Sequence, residues 1–146
     1  LEPASSAGRE RRLTLAGTDE IRVLAAEDNA ANRRILALAL ESAPVTLVFA
    51  EDGARALDLW RAGAFDLVLM DVNMPVLGGR EAVREIRKAE GAGRRTPIWM
   101  LTANVFPEDV DRYRRDGADG ALRKPLDVAA LYALLAEVAQ ARLVRT

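Results

Sequence analysis

The stretch FDLVLMDVNMPVLGG, residues 65–79, decides how the rest of the chain reads. Leu67 to Met70 is an unbroken apolar run of strand length, bounded by Asp66 and Asp71. A strand apolar on both faces belongs in a parallel sheet covered by helices on each side. Phe65 to Met70 is therefore expected as a strand whose carboxyl end delivers Asp71, and an acid at that place costs desolvation unless it is paired. Met74-Pro75 and Gly78-Gly79 then make a loop leading into a helix that carries Val83, Ile86 and Arg87.

Outward from that segment the same alternation recurs. Ile21 to Ala26 reads as a buried strand ending at Glu27-Asp28-Asn29, and residues 30–42 as a helix with Ile35, Leu36, Ala39 and Leu40 on one side. Val45 to Ala50 is a second strand, and Gly53 opens a helix with Ala56, Leu57 and Trp60. Beyond the central segment, Pro97 to Leu101 is a strand ending at Thr102, followed by a helix from Pro107 to Arg115 with proline in its permitted first turn. A short strand over Gly120–Arg123 ends at Lys124-Pro125, and residues 127–141 form a last helix with Leu131, Leu135 and Val138 at helical spacing. Five strands and five helices in alternation imply an α/β fold with a parallel sheet and helices on both faces. Residues 1–19 mix Pro, Gly, Ser and Arg without periodicity and read as a linker; 20–142 read as the folded domain and 143–146 as a tail.

Composition narrows the chemistry. The chain of 146 residues has no Cys and no His, which excludes disulfides, Cys/His zinc sites, cysteine nucleophiles and histidine acid–base schemes. Its formal net charge of −1 offers no basic footprint for nucleic acid. No apolar run reaches the ~20 residues of a membrane span, so a cytoplasmic domain without membrane contact is expected, although a longer parent protein could be membrane-attached. Among 21 basic residues only Lys88 and Lys124 are lysines, which gives a lysine at a strand end more weight.

Ligands of open α/β sheets bind beyond the carboxyl ends of the strands. Glu27 and Asp28 leave the first strand, Asp71 the third, Thr102 the fourth and Lys124 the fifth. Taken singly, each has an ordinary explanation: an acidic loop, a β-branched strand residue, a surface charge. Together they supply what phosphoryl transfer needs. Crowded carboxylates call for a hard cation such as Mg²⁺, Lys124 neutralises incoming charge, Thr102 donates to a phosphoryl oxygen, and Asp71 is the nucleophile.

The pieces AAEDNAANRRIL, FDLVLMDVNMPVLGG, PIWMLTAN and DGADGALRKPL resemble the response-regulator receiver family over about residues 20–142. The resemblance implies a flavodoxin-like (βα)5 fold with strand order 2-1-3-4-5. Residue by residue, it implies Glu27 and Asp28 as the acidic metal pair and Asp71 as the phosphorylated aspartate. Asn73 matches the residue whose backbone carbonyl helps hold the metal, Thr102 the switch hydroxyl, and Lys124 the phosphate-contacting lysine before a cis proline. EDNAANRRIL and LTANVFPEDVDRYRRDGADG are most similar to C-terminal receivers of hybrid sensor histidine kinases, which implies a histidine kinase or histidine phosphotransfer domain as partner, with a weak homodimer as a further option.

Two positions depart from the family pattern: Gly78 stands where many members carry an acid, and Ala121 where they carry a switch aromatic. With no ring at 121, the response to phosphorylation is expected around 72–79 and 104–107 rather than over the fourth helix, residues 118–123 and the last helix, with Phe106 or Tyr113 as the rings that could stand in. A haloacid-dehalogenase-like phosphatase would also use a strand-end Asp, Mg²⁺, Thr and Lys. Its nucleophile comes before its acidic pair, however, and a second acid stands where this chain has Asn73. A degenerate receiver serving only for docking is the other alternative, and the complete acidic and lysine set argues against it.

Overall fold

The computed structural model describes residues 20–93 and 95–145; the linker expected over 1–19 lies outside the described residues. Strands β1 (Ile21–Ala26), β2 (Val45–Ala50), β3 (Leu67–Asp71), β4 (Ile98–Thr102) and β5 (Gly120–Arg123) alternate with helices α1 (Ala30–Leu40), α2 (Gly53–Ala62), α3 (Gly79–Glu90), α4 (Pro107–Asp116) and α5 (Val128–Arg145). The strands pair in parallel in the order β2-β1-β3-β4-β5, as the sequence implied. This order puts the long apolar β3 at the centre, where all five of its residues are buried.

Side chains alternate across the sheet and build two cores. Val23, Ala25, Leu67 and Leu69 join Leu36 and Leu40 of α1 and Leu131, Leu135 and Val138 of α5 on one face. Leu24, Val68, Met70, Ile98 and Met100 join Ala56 of α2, Val83 and Ile86 of α3 and Tyr113 of α4 on the other. Ile35 was expected on the buried side of α1, but it is 48% exposed. Leu36 and Leu40, four apart, suffice for the narrow stripe that α1 buries.

Strand boundaries shift for identifiable reasons. β3 begins at Leu67, two residues later than Phe65, because the Asp66 carboxylate accepts the Arg22 N–H at 2.9 Å. The β1–β3 ladder therefore starts at the pair Val23 and Leu67. At the other end of the sheet, backbone bonds carry the pairing one residue past the strands: Glu27 N–H to the Ala50 carbonyl at 2.9 Å, Val72 N–H to Leu101 at 3.1 Å and Lys124 N–H to Thr102 at 2.8 Å. The side chains of Glu27 and Lys124 are thus mounted on sheet-ordered backbone rather than on loose loops. α5 runs to Arg145, farther than the expected 141.

The loop after β3 is folded tightly back. Leu77 N–H bonds the Pro75 carbonyl at 2.7 Å, and Val76 between them has φ 69°, a left-handed conformation that a β-branched residue rarely adopts. α3 then starts so close to β3 that a Cβ on Gly79 would collide with the Asp71 carbonyl oxygen, whereas one on Gly78 would meet only the mobile end of the Glu81 side chain. Gly79→Ala should therefore lower stability by about 1–3 kcal/mol, and Gly78→Ala should cost far less. Urea unfolding midpoints of the two variants check this; equal effects would contradict the close approach at Gly79.

Candidate functional site

The strand order places Glu27 and Asp71 side by side at the carboxyl ends of β1 and β3. Both are buried, at 1% and 4% exposure, while Asp28 is exposed. Carboxylate oxygens of Glu27, Asp28 and Asp71 all lie within 4.8 Å of one another. Lys124 reaches in from the end of β5, with Nζ 2.9 Å from Asp71 Oδ2 and 3.1 Å from Glu27 Oε1. The peptide bond from Lys124 to Pro125 is cis.

The second oxygens of the two buried acids are held by backbone. Asn73 N–H donates to Asp71 Oδ1 at 3.2 Å, and Asn29 N–H donates to Glu27 Oε2 at 3.2 Å. Asn29 also caps α1, its side chain accepting from Asn32 N–H at 3.0 Å, so the start of that helix and the acid are ordered together. Arg33 on the first turn of α1 donates to the Glu27 carbonyl at 2.9 Å. Glu27 Oε1 makes no hydrogen bond, since Lys124 faces it only as an ion partner.

These contacts set the charge states. Burial, reinforced by Glu27, pushes the Asp71 carboxyl up to about 6, against the pull of Lys124. Burial also acts on Glu27, but Lys124, Asp71 and the Asn29 N–H outweigh it and hold that carboxyl below its ordinary value. Lys124 is likewise desolvated, yet Asp71 and Glu27 hold its ammonium above its usual range. The cluster therefore has one cation facing three carboxyl groups. A divalent cation fits the excess charge and Glu27 Oε1, whose one partner is the Lys124 ammonium that it shares with Asp71.

Thr102 ends β4 and is 4% exposed. Its Oγ accepts from Asn104 N–H at 3.0 Å and lies 3.1 Å from the Tyr113 hydroxyl. Of the two rings named as stand-ins for Ala121, Tyr113 is 3% exposed and Phe106 is 62% exposed, so only Tyr113 reaches this site. Asn73, Asp28 and Val72 line a shallow cleft with Arg80, whose guanidinium is held by Asp116 of α4 at 2.5 Å. Sequence reasoning singled out neither Arg80 nor Arg33. Each is one arginine among many, and no local pattern marks its long-range partner.

A family model for the response regulator receiver domain matches residues 23–136. The chain belongs to that family and is a receiver domain of the two-component type. Among its relatives are sensor histidine kinases. The chain is 39% identical over 124 residues to sensor histidine kinase AruS of Pseudomonas aeruginosa, covering 84% of this chain and only 12% of that protein. It is 34% identical, with TM-score 0.74, to the receiver domain of sensor histidine kinase PA1611 from the same species, which has a magnesium ion coordinated in its active-site cleft; 83% of this chain and 98% of that one are covered. It is 30% identical, with TM-score 0.79 over 86% of this chain and 92% of the other, to the receiver domain of Ssk1 from Saccharomyces cerevisiae in complex with the histidine phosphotransfer protein Ypd1.

The raised Asp71 carboxyl has a measurable consequence. Between its ordinary value of 3.8 and about 6 the folded domain keeps a proton that the unfolded chain has released. This stabilising contribution is complete below the ordinary value and lost as pH rises through about 6. Without divalent cation, Asp71→Asn should therefore be more stable than the wild type above pH ~7, by roughly 1–3 kcal/mol, with the gap closing toward pH ~4. Glu27 acts in the opposite sense but is present in both proteins. Urea unfolding across that range checks the sign; a gap independent of pH would contradict it.

Proposed function

We propose that Asp71 accepts a phosphoryl group from a phosphohistidine, with Mg²⁺ held by Glu27, Asp28, Asp71 and the backbone carbonyl of Asn73. The observation that carries this reading is the Asp71 carboxylate itself. It is buried at a strand end, with one oxygen on Lys124 and the other on Asn73 N–H. At neutral pH a carboxyl titrating at about 6 is mostly ionised and nucleophilic. In the transfer, an Asp71 oxygen forms the new P–O bond, the P–N bond of the donor breaks, and the imidazole leaves with its electron pair and takes up a proton.

The residues of the chain do the positioning. Lys124 stays protonated and offers its charge to a phosphoryl oxygen, and Thr102 offers its hydroxyl proton to another. A bound divalent cation would supply the remaining charge neutralisation between the carboxylates and the phosphoryl oxygens. Gly78 lines the same cleft as Asp28 and Asn73 without adding a side chain to it, and Ala121 bears on the response rather than on the chemistry.

We also place the domain within a hybrid sensor histidine kinase in the cytoplasm, with a histidine kinase or histidine phosphotransfer domain as partner. The similarity to AruS and to the PA1611 receiver supports the first point, and the Ssk1 complex with Ypd1 supports the second. Among the described residues no helix is long and apolar enough to cross a membrane.

Acetyl phosphate or phosphoramidate with Mg²⁺ should give one base-labile phosphoryl adduct, seen by intact mass and lost in Asp71→Asn; unchanged labelling of that variant would overturn the assignment. Losing even an outer-shell partner weakens metal binding about 10–100-fold. Replacing Glu27 and Asp28 together by Ala should weaken Mg²⁺ binding at least that much in a titration followed by NMR, and equal affinity would place the metal elsewhere. The kinase module of the parent protein should label Asp71 in preference to an unrelated receiver.

A further inference from the structure

We propose that Tyr113 is the positioning residue for Thr102, and that its hydroxyl, rather than a ring on β5, carries the phosphoryl signal into α4. The inference rests on the reading above, in which Thr102 donates to the phosphoryl group on Asp71.

Thr102 follows Ile98 and Met100 on the face of β4 that packs toward α2, α3 and α4. Its hydroxyl has one proton and two lone pairs. Asn104 N–H occupies one lone pair. The contact with Tyr113 then uses either the other lone pair or the single proton. Before phosphorylation both directions are open. Once a phosphoryl oxygen accepts the Thr102 proton, only one remains, with Tyr113 donating to Thr102 and Thr102 donating to the phosphoryl group. Bonds chained in this way strengthen one another.

Tyr113 has reason to follow Thr102 rather than release it. Its ring is 3% exposed and belongs to the same core as Met100, Ala118 and Ala121. A buried phenol left without a partner loses its hydrogen bond and regains no water. Any shift of Thr102 toward Asp71 is therefore passed to Tyr113, the one buried residue of α4. Ala121 lies in the same core without a ring that could turn, and Phe106 is too exposed to take the part.

Tyr113→Phe keeps the ring and removes only the hydroxyl, while Thr102→Ser keeps the hydroxyl. Beryllofluoride with Mg²⁺, added as a phosphoryl mimic, should shift the amides of 72–79 and of 107–116 in the wild type. In Tyr113→Phe the shifts of 72–79 should persist and those of 107–116 should fall several-fold, and in Thr102→Ser both should persist. An α4 response in Tyr113→Phe equal to the wild type, or no α4 response in the wild type beside clear shifts at 72–79, would overturn the inference. Absence of shifts at 72–79 in the wild type would instead overturn the reading of the site on which it rests. A packing role alone would leave the Tyr113→Phe response intact.

Discussion

One ammonium group holds the carboxyl edge of this sheet together. Glu27 and Asp71 are buried next to each other, and Lys124 touches one oxygen of each. Without it, two desolvated carboxylates would repel one another in a setting where each charge already costs several kcal/mol to bury. The strand order follows the same need. β1 and β3 must be neighbours to bring the acids together, and β5 lies two strands beyond β3, so the residue that reaches back across β4 needs a long stem. A lysine suits the place better than the far commoner arginine. An arginine fork would bind both oxygens of one carboxylate, whereas the compact ammonium touches one oxygen of each acid and leaves the other, Asp71 Oδ1 and Glu27 Oε2, to backbone N–H groups.

Strand alternation divides the site between the two cores. Asp71 continues the series Leu67, Leu69 toward α1 and α5, and Thr102 continues Ile98, Met100 toward α2, α3 and α4. Neighbouring strand ends thus send the acid to one side and the hydroxyl to the other. The loop after Asp71 is pinned between them, with Gly53 at the start of α2 packed against the Leu77 carbonyl and Gly79 against the Asp71 carbonyl. Neither position has room for a Cβ, so the chain leaving Asp71 has little freedom to carry the acid away from Lys124.

Most of this was legible where the chemistry is local. Short, mostly apolar runs marked β1 and β2 at their observed limits, and the short segment before Lys124-Pro125 marked β5. The acids, Thr102 and Lys124 were legible because a polar group that ends a buried run has few structural reasons to be there. The limits of β3 were not, because they depend on Asp66 capturing the Arg22 N–H, a contact between residues 44 apart in sequence. Ile35 illustrates another limit, since helical periodicity shows which residues share a side but not how wide a stripe the sheet will cover. Tyr113 could be named as a ring in reach, but its bond to Thr102 depends on the angle at which α4 crosses β4. No residue pattern within α4 encodes that angle.

The way α4 is attached explains why it can respond at all. α3 buries Ala82, Val83 and Ile86, whereas α4 buries Tyr113 alone. Its carboxyl end is held by charge, with Asp116 receiving Arg80 at 2.5 Å and Arg84 at 2.6 Å, both from α3. Arg87 adds a bond to the Gly117 carbonyl at 2.8 Å, just past the helix. Partly exposed ion pairs of this kind contribute little each and adapt to small displacements, while a packed apolar face has one low-energy seating. A helix tied by one aromatic residue and a few arginines can therefore move with less disruption than its neighbours, as segments of low local stability do. The buried end of that attachment is the phenol bonded to Thr102, so the element least constrained by the core is the one whose only core residue touches the site.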